Sequence, residues 1–209
     1  VRTLGVRANA DNPEDAQLSR DFGAEGHEIG KMLSQELDLP FYDNEVLVRA
    51  SARAGAPVDE VAAYDARLTA EMSAFLPDRI DARSTADKLF QRVSSVVRDL
   101  ASVGPCIIVG RCADHVLRQA GVPVCSLFLC APFTWRVAHR MEIEGISEAQ
   151  AADTVRRLDK QRRKYYTTYT GRDWGLPENY DLCINTSVLG IEGTAQALRE
   201  HLTGSRMFS

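Results

Sequence analysis

The run VPVCSLFLCA, Val122 to Ala131, limits the fold more than any other stretch of the chain. It is apolar almost without a break and stops at Pro132. A strand with one wet face alternates polar and apolar residues. A strand covered on both faces reads as a continuous apolar run, as a parallel sheet between helical layers requires. CIIVG (Cys106–Gly110), YDLCINT (Tyr180–Thr186) and the shorter LPFYD (Leu39–Asp43) have the same character.

Helical periods separate these runs. Ile29, Met32, Leu33 and Leu37 share one face, and Leu89, Phe90, Val93, Val96, Val97 and Leu100 make a stronger stripe. Pro132 suits the first turn of a helix carrying Val137, Ala138 and Met141. Ser147 with Gln150 reads as a capping box opening a helix through Ala151, Val155 and Leu158. Ile191, Ala195, Leu198 and Leu202 line a last helix. Strand and helix in alternation predict an α/β fold with a mainly parallel sheet. Asn44 to Arg83 reads as helical with no clear strand, an all-helical insertion.

With 209 residues, 44% of them hydrophobic, the chain can bury one sizeable core. A net charge of −4 argues against a dedicated nucleic-acid binder. The five cysteines form no C-x-x-C pair and the four histidines are scattered, which points to reduced thiols rather than zinc. There is no run of 18 apolar residues and no signal-peptide core, so a cytoplasmic protein without a membrane span is expected.

In open α/β sheets, ligands bind beyond the carboxyl ends of the strands. That rule selects the Gly23–Gly26 loop, Asp43 after PFY, and Gly110-Arg111 after CIIV. The stretch RDFGAEGHEIGKML (Arg20–Leu33) has the cadence of a phosphate loop running into a helix. A Walker A loop, however, reads G-x-x-x-x-G-K-[ST], and Gly23, Gly26 and Gly30 are spaced otherwise. Alone, the stretch is either a phosphate loop that has lost a part or an ordinary turn. Arg111 either grips a phosphate in bidentate fashion or pairs with Asp114. Asp43 either accepts hydrogen bonds from a ribose or amino group or caps the next helix, with Arg49 about two turns further on. RRLDKQRRK (Arg156–Lys164) is a solvated face, a cover for a polyphosphate, or a nucleic-acid contact. The adjoining YYTTYTGRDWG either stacks a base or packs in the core.

Three blocks carry a resemblance: SRDFGAEGHEIGKMLSQELDLPFYD (Ser19–Asp43), GPCIIVGRCADHVL (Gly104–Leu117) and YYTTYTGRDWGLPENYDLCINTSVLGIEG (Tyr165–Gly193). In this order they resemble the nucleoside monophosphate kinases, specifically the cytidylate kinase-like family. The resemblance implies a P-loop NTPase-like three-layer α/β fold with a parallel core sheet, a helical nucleotide-binding insertion and an arginine-rich lid. It implies one domain over residues 1–209, with core 18–43, 84–146 and 176–203, insertion 44–83 and lid 147–175. The implied activity is transfer of the γ-phosphoryl group of ATP, bound with Mg²⁺, to CMP, dCMP or a similar nucleoside monophosphate.

By the same resemblance, Gly23, Ala24, Glu25, Gly26 and His27 hold the ATP phosphates, and Arg136 and Arg140 border the ATP site. Asp43, Arg49, Arg111 and Asp114 contact the acceptor nucleotide. Arg157, Asp159, Lys160, Arg162 and Arg163 lie in the lid, with Asp159, Arg162 and Arg163 acting beside Arg20 on the transferring group. Departures accompany these matches. The lysine's place falls at Gly26 and the magnesium-holding hydroxyl becomes Glu28. The third residue of G-R-D is Cys112, and N-E-V-L-V replaces T-G-A-x-Y after Asp43. Arg20 is the better substitute for the missing lysine, since Lys31 lies a turn or more beyond the loop. The strand that should precede the loop is not apparent, because NPEDAQL (Asn12–Leu18) is polar and the strand-like VRTLGVRA lies far upstream. Two other readings remain: a catalytically weak, regulatory nucleotide-binding protein, and an RNA-binding module using Arg156–Lys164.

Overall fold

The central strand of the sheet is the one that hydropathy conceals. In a computed structural model, which describes residues 15–43 and 80–204, β1 runs from Asp15 to Arg20. It pairs in parallel with β3 (Ile107–Val109) on one side and β4 (Val124–Cys130) on the other. The outer strands are β2 (Phe41–Tyr42) and β5 (Leu182–Asn185), giving the parallel order β2-β3-β1-β4-β5.

This corrects the expectation drawn from the polar NPEDAQL stretch. Ala16 and Leu18 point into one apolar layer, while Asp15, Gln17 and Ser19 are buried on the opposite face. Their polar groups find partners inside. Gln17 Nε2 donates to Ser19 Oγ at 3.0 Å, Ser126 Oγ donates to Gln17 Oε1 at 3.4 Å, and Asp15 Oδ1 accepts the Cys106 N–H at 3.1 Å. A buried polar group is tolerable when its hydrogen bonds are made, so polarity alone did not exclude a core strand.

The helices are α1 (Gly26–Leu37), α2 (Ile80–Val103), α3 (Ala113–Gln119), α4 (Phe133–Glu144), α5 (Glu148–Thr170) and α6 (Thr186–Leu202). One sheet face packs Ala16, Leu18, Ile107, Val109, Leu127 and Leu129 against Ile29 and Leu33 of α1 and Ala195 and Leu198 of α6. The other packs Ile108 and Val124 against Leu89, Val93, Val96 and Val97 of α2 and Val116 and Leu117 of α3. Beside that layer, Phe128, Tyr166, Trp174 and Tyr180 form an aromatic cluster. Tyr166 and Trp174 are thereby core residues, while Tyr169 stacks on Phe90 at 4.0 Å between ring centroids. Core packing is the reading the structure favours for these aromatics.

Local signals set most helix ends. The capping box is present, with Ser147 Oγ accepting from the Gln150 N–H and Gln150 Oε1 accepting from the Ser147 N–H. Left-handed Gly145 and Gly171 close α4 and α5. Pro132 is the N-cap of α4 rather than a first-turn residue. The final helix starts at Thr186, before the expected Ile191, and breaks at Gly190 (φ 70°, ψ −178°). Ile80 to Arg83, read as insertion, run continuously into α2. The remainder of the expected insertion, including Arg49, lies outside the described residues.

Candidate phosphate-binding site

The parallel sheet brings the carboxyl ends of β1, β2 and β3 to one edge, and with them Arg20, Asp43 and Gly110-Arg111. After β1 the chain turns through Asp21, Phe22, Gly23 (φ 83°), Ala24 and left-handed Glu25 (φ 55°) into α1. Glu25 is the N-cap of α1 but makes no side-chain capping bond. A helix start presents N–H groups that lack intrahelical acceptors and carries positive potential, which suits a phosphate.

Guanidinium groups gather next to it. Arg20 Nη2 lies 3.8 Å from Asp43 Oδ1, and the other Asp43 oxygen is 2.9 Å from His27 Nδ1. His27 also sets its ring edge-on to Phe41, with centroids 5.3 Å apart. Arg162, reaching across from α5, donates from Nη1 to the Arg20 carbonyl at 3.0 Å. Burial works first against the charge on Arg20; Asp43 favours that charge and Arg111 opposes it. Burial likewise pushes Arg162 down, to about 9, with Arg20 and Arg111 adding repulsion and Asp159 and Asp43 resisting. Guanidiniums stay protonated at neutral pH, so this is a concentration of positive charge that an anion would relieve.

Arg111 occupies a strained turn. Gly110, Arg111 and Cys112 are all left-handed, with φ of 75°, 61° and 54°. For non-glycine residues such conformations cost about 1–3 kcal/mol each and concentrate at functional sites. Cys112 is buried and caps α3 by position alone, without a side-chain bond.

A second charged group lies behind the loop. Asp159 Oδ1 accepts the Phe22 N–H at 2.8 Å and Oδ2 accepts from Arg136 Nη1 at 2.6 Å. Arg136 also donates from Nη1 to the Phe22 carbonyl and from Nε to the Ala131 carbonyl, each at 2.9 Å. Asp21 approaches Arg136 Nε at 3.9 Å, and burial, countered by Arg136, raises the Asp21 pKa. Arg140 lies over the Phe22 ring at 5.0 Å, pairs with Glu144, and is 3.9 Å from Glu25. Phe22 therefore sits between Arg140 and Arg162.

The expected site residues thus divide. Arg20, His27, Asp43, Arg111 and Arg162 share one electrostatic cluster beside the Gly23–Gly26 loop. Asp159, expected beside the reacting group, has both oxygens engaged and braces the loop. Arg136 and Arg140, expected to border the ATP site, join the same brace and lie against Gly23 of the loop, where a Cβ on that glycine would come within 3.3 Å of Arg136 Cβ and 3.4 Å of Arg140 Cγ. Asp114, expected near the acceptor, is fully buried and accepts from the Tyr166 hydroxyl at 3.0 Å. Burial raises its pKa, and Tyr166 and a backbone hydrogen bond oppose the rise. Arg157, Lys160 and Arg163 are exposed on α5, Arg163 with its guanidinium 6.0 Å from the Trp174 ring centre. Asp21 and Phe22 were missed from the sequence. The available signal was their position between a strand end and the first loop glycine. Among the described residues, no group of three or more His, Cys, Asp or Glu side chains is placed to hold a metal ion. No described helix is long and apolar enough to cross a membrane.

In sequence and fold the chain is similar to known proteins. The model of the cytidylate kinase-like family matches residues 17–188. A cytidylate kinase of Pyrococcus horikoshii is 32% identical over 107 residues, 50% of this chain and 54% of that one. The chain therefore spans about half the length of that relative. The crystal structure of an uncharacterized protein from Eubacterium ventriosum is 22% identical, with TM-score 0.66 and 91% of this chain and 98% of that one covered. A shikimate kinase from Bacteroides thetaiotaomicron is 16% identical, with TM-score 0.53 and coverage of 90% and 98%. At these identities the structures speak to the fold alone, which is the P-loop NTPase-like α/β fold.

Proposed function

The chain belongs to the cytidylate kinase-like family, and from that premise we propose that it transfers the γ-phosphoryl group of ATP to CMP, dCMP or a similar nucleoside monophosphate. The observation that carries the reading is the meeting of an uncapped helix start with the guanidiniums of Arg20, Arg111 and Arg162 at the carboxyl edge of a parallel sheet.

ATP·Mg²⁺ enters as the donor substrate. Its metal supplies charge neutralisation on the phosphate oxygens. The first-turn N–H groups of α1 receive donor phosphates, and Arg162 spreads positive charge over the transferring group. Arg111 holds the acceptor phosphate, and Asp43 receives a polar group of the acceptor's sugar or base. An oxygen of the acceptor phosphate forms the new bond to the γ-phosphorus as the bond to the β–γ bridging oxygen breaks, and ADP leaves. That acceptor oxygen is already anionic, so no general base is needed. Catalysis is positioning and charge stabilisation.

The test is incubation of the purified protein with ATP·Mg²⁺ and each nucleoside monophosphate, following diphosphate formation alongside calorimetric binding. Turnover on CMP or dCMP is expected. Nucleotide binding without turnover would favour the catalytically weak, regulatory reading, whose support is Gly26 and Glu28 at the places of the lysine and the hydroxyl. Absence of nucleotide binding would overturn both.

A further inference from the structure

Gly26 is glycine for a reason that its own backbone does not supply. Gly23 and Gly110 have left-handed backbones that favour glycine, whereas Gly26 opens α1 with a backbone any residue adopts. What excludes a side chain at Gly26 is Arg20. A Cβ on Gly26 would lie 2.7 Å from Arg20 Cγ, 3.0 Å from its Cβ and 3.2 Å from its Cδ. The Arg20 stem thus fills the volume into which a residue-26 side chain would grow. Further out, a Cβ on Gly110 would meet Arg20 Nη1 at 2.8 Å. Arg20 therefore runs in a channel between two glycines, past the helix start, and ends beside Asp43 at the acceptor edge.

Position 26 is where the loop lysine of a Walker motif would sit. The structure thus pairs two departures that look independent in sequence, a lost lysine and an arginine at the end of β1. We propose that Arg20 is the phosphate-gripping cation of this site, supplied by the strand instead of the helix, and that Gly26 is the vacancy its stem requires. The inference rests on the phosphate-site reading above. It goes further in making residues 20 and 26 a reciprocal pair: one side chain fits, from either end. A strand-borne guanidinium also places its charge toward Gly110 and Asp43, between donor loop and acceptor edge. Burial and the nearby Arg111 disfavour that charge and Asp43 favours it, so an incoming phosphate would stabilise it further.

The experiment measures ATP·Mg²⁺ binding by calorimetry for wild type, Arg20→Ala, Gly26→Lys and the double variant, with melting temperatures for each. Arg20→Ala is expected to weaken ATP binding about tenfold or more, the scale of a lost charged contact. Gly26→Lys alone is also expected to weaken it, because its stem collides with Arg20. The double variant should bind ATP more tightly than either single variant, the strong non-additivity expected of residues in contact. Millimolar guanidinium, added to folded Arg20→Ala, should restore part of the binding, and this arm decides if the double variant does not fold. Wild-type affinity in Arg20→Ala would overturn the proposal. So would a folded double variant no better than Arg20→Ala, or the absence of guanidinium rescue. Failure of the phosphate-site reading itself would appear differently, as no ATP binding by the wild type, and would take the proposal with it.

Discussion

Two charged clusters lie on either side of one short loop, and they are built on opposite plans. Behind the loop, Arg136 and Asp159 satisfy each other and grip both the N–H and the carbonyl of Phe22. In front, Arg20, Arg111 and Arg162 lie within electrostatic reach of one another around Asp43, and burial disfavours the charges on Arg20 and Arg162. The rear cluster is closed; its worth lies in the shape it gives the backbone. In the front cluster, among the described residues, three guanidiniums gather around the one carboxylate of Asp43, a balance that an anion would complement. Charged residues of similar burial can thus be structure or site, and what separates them is whether opposite charges pair one to one or like charges gather.

The sharpest way to break the contrast is Arg136→Ala. It strands the Asp159 carboxylate and should cost about 3–5 kcal/mol, as expected when one partner of a buried pair is removed. Chemical denaturation measures it. Front-cluster variants should behave the other way. Arg162→Ala should cost little in folding but slow phosphoryl transfer by about 100-fold or more, seen in single-turnover kinetics. If Arg162→Ala instead unfolds the protein while Arg136→Ala remains stable, the division is wrong.

A smaller effect should come from ligand linkage. Saturating tripolyphosphate should raise the wild-type melting temperature, with about 2.7 kcal/mol available at a hundredfold excess over Kd. Arg162→Ala should lose most of that gain. Asp159→Asn should retain more of it, provided the amide oxygen still accepts the Phe22 N–H.

The smallest effect concerns Asp114. Its pKa is raised in the folded state, so its contribution to stability is fully present below its ordinary carboxylate value and is lost as pH rises through the folded value. Asp114→Asn should therefore gain on wild type as pH rises across that window, measured by denaturation at several pH values. A gap independent of pH would mean that burial does not govern this carboxyl.

Much of this architecture was legible from periodicity. Strands β3, β4 and β5 are apolar because helices cover both their faces, and the Ser147–Gln150 box announces its helix without tertiary information. Arg20, Asp43 and Arg111 were legible by location, since the carboxyl edge of a parallel sheet collects such residues. The central strand was not, because its buried polar partners Ser126 and Cys106 lie about 90 to 110 residues away in sequence. For the same reason Asp159 reads as one charge in a basic helix until its contact with Phe22 brings the loop beside it. A local window carries side-chain type but not the distant acceptor that gives the side chain its purpose.

The buried polar face of β1 also bears on how the sheet selects a single alignment. Gln17 sits opposite Ser126 on β4, while the next same-face positions along that strand are Val124 and Phe128. Sliding β1 by two residues would keep its apolar side in the core yet set the Gln17 amide against a hydrocarbon, with hydrogen bonds broken. A wholly aliphatic strand would pass over such a slip at little cost. Here the amide acts as an alignment pin, and because Arg20 ends the same strand, it also determines how far that guanidinium projects beyond the sheet.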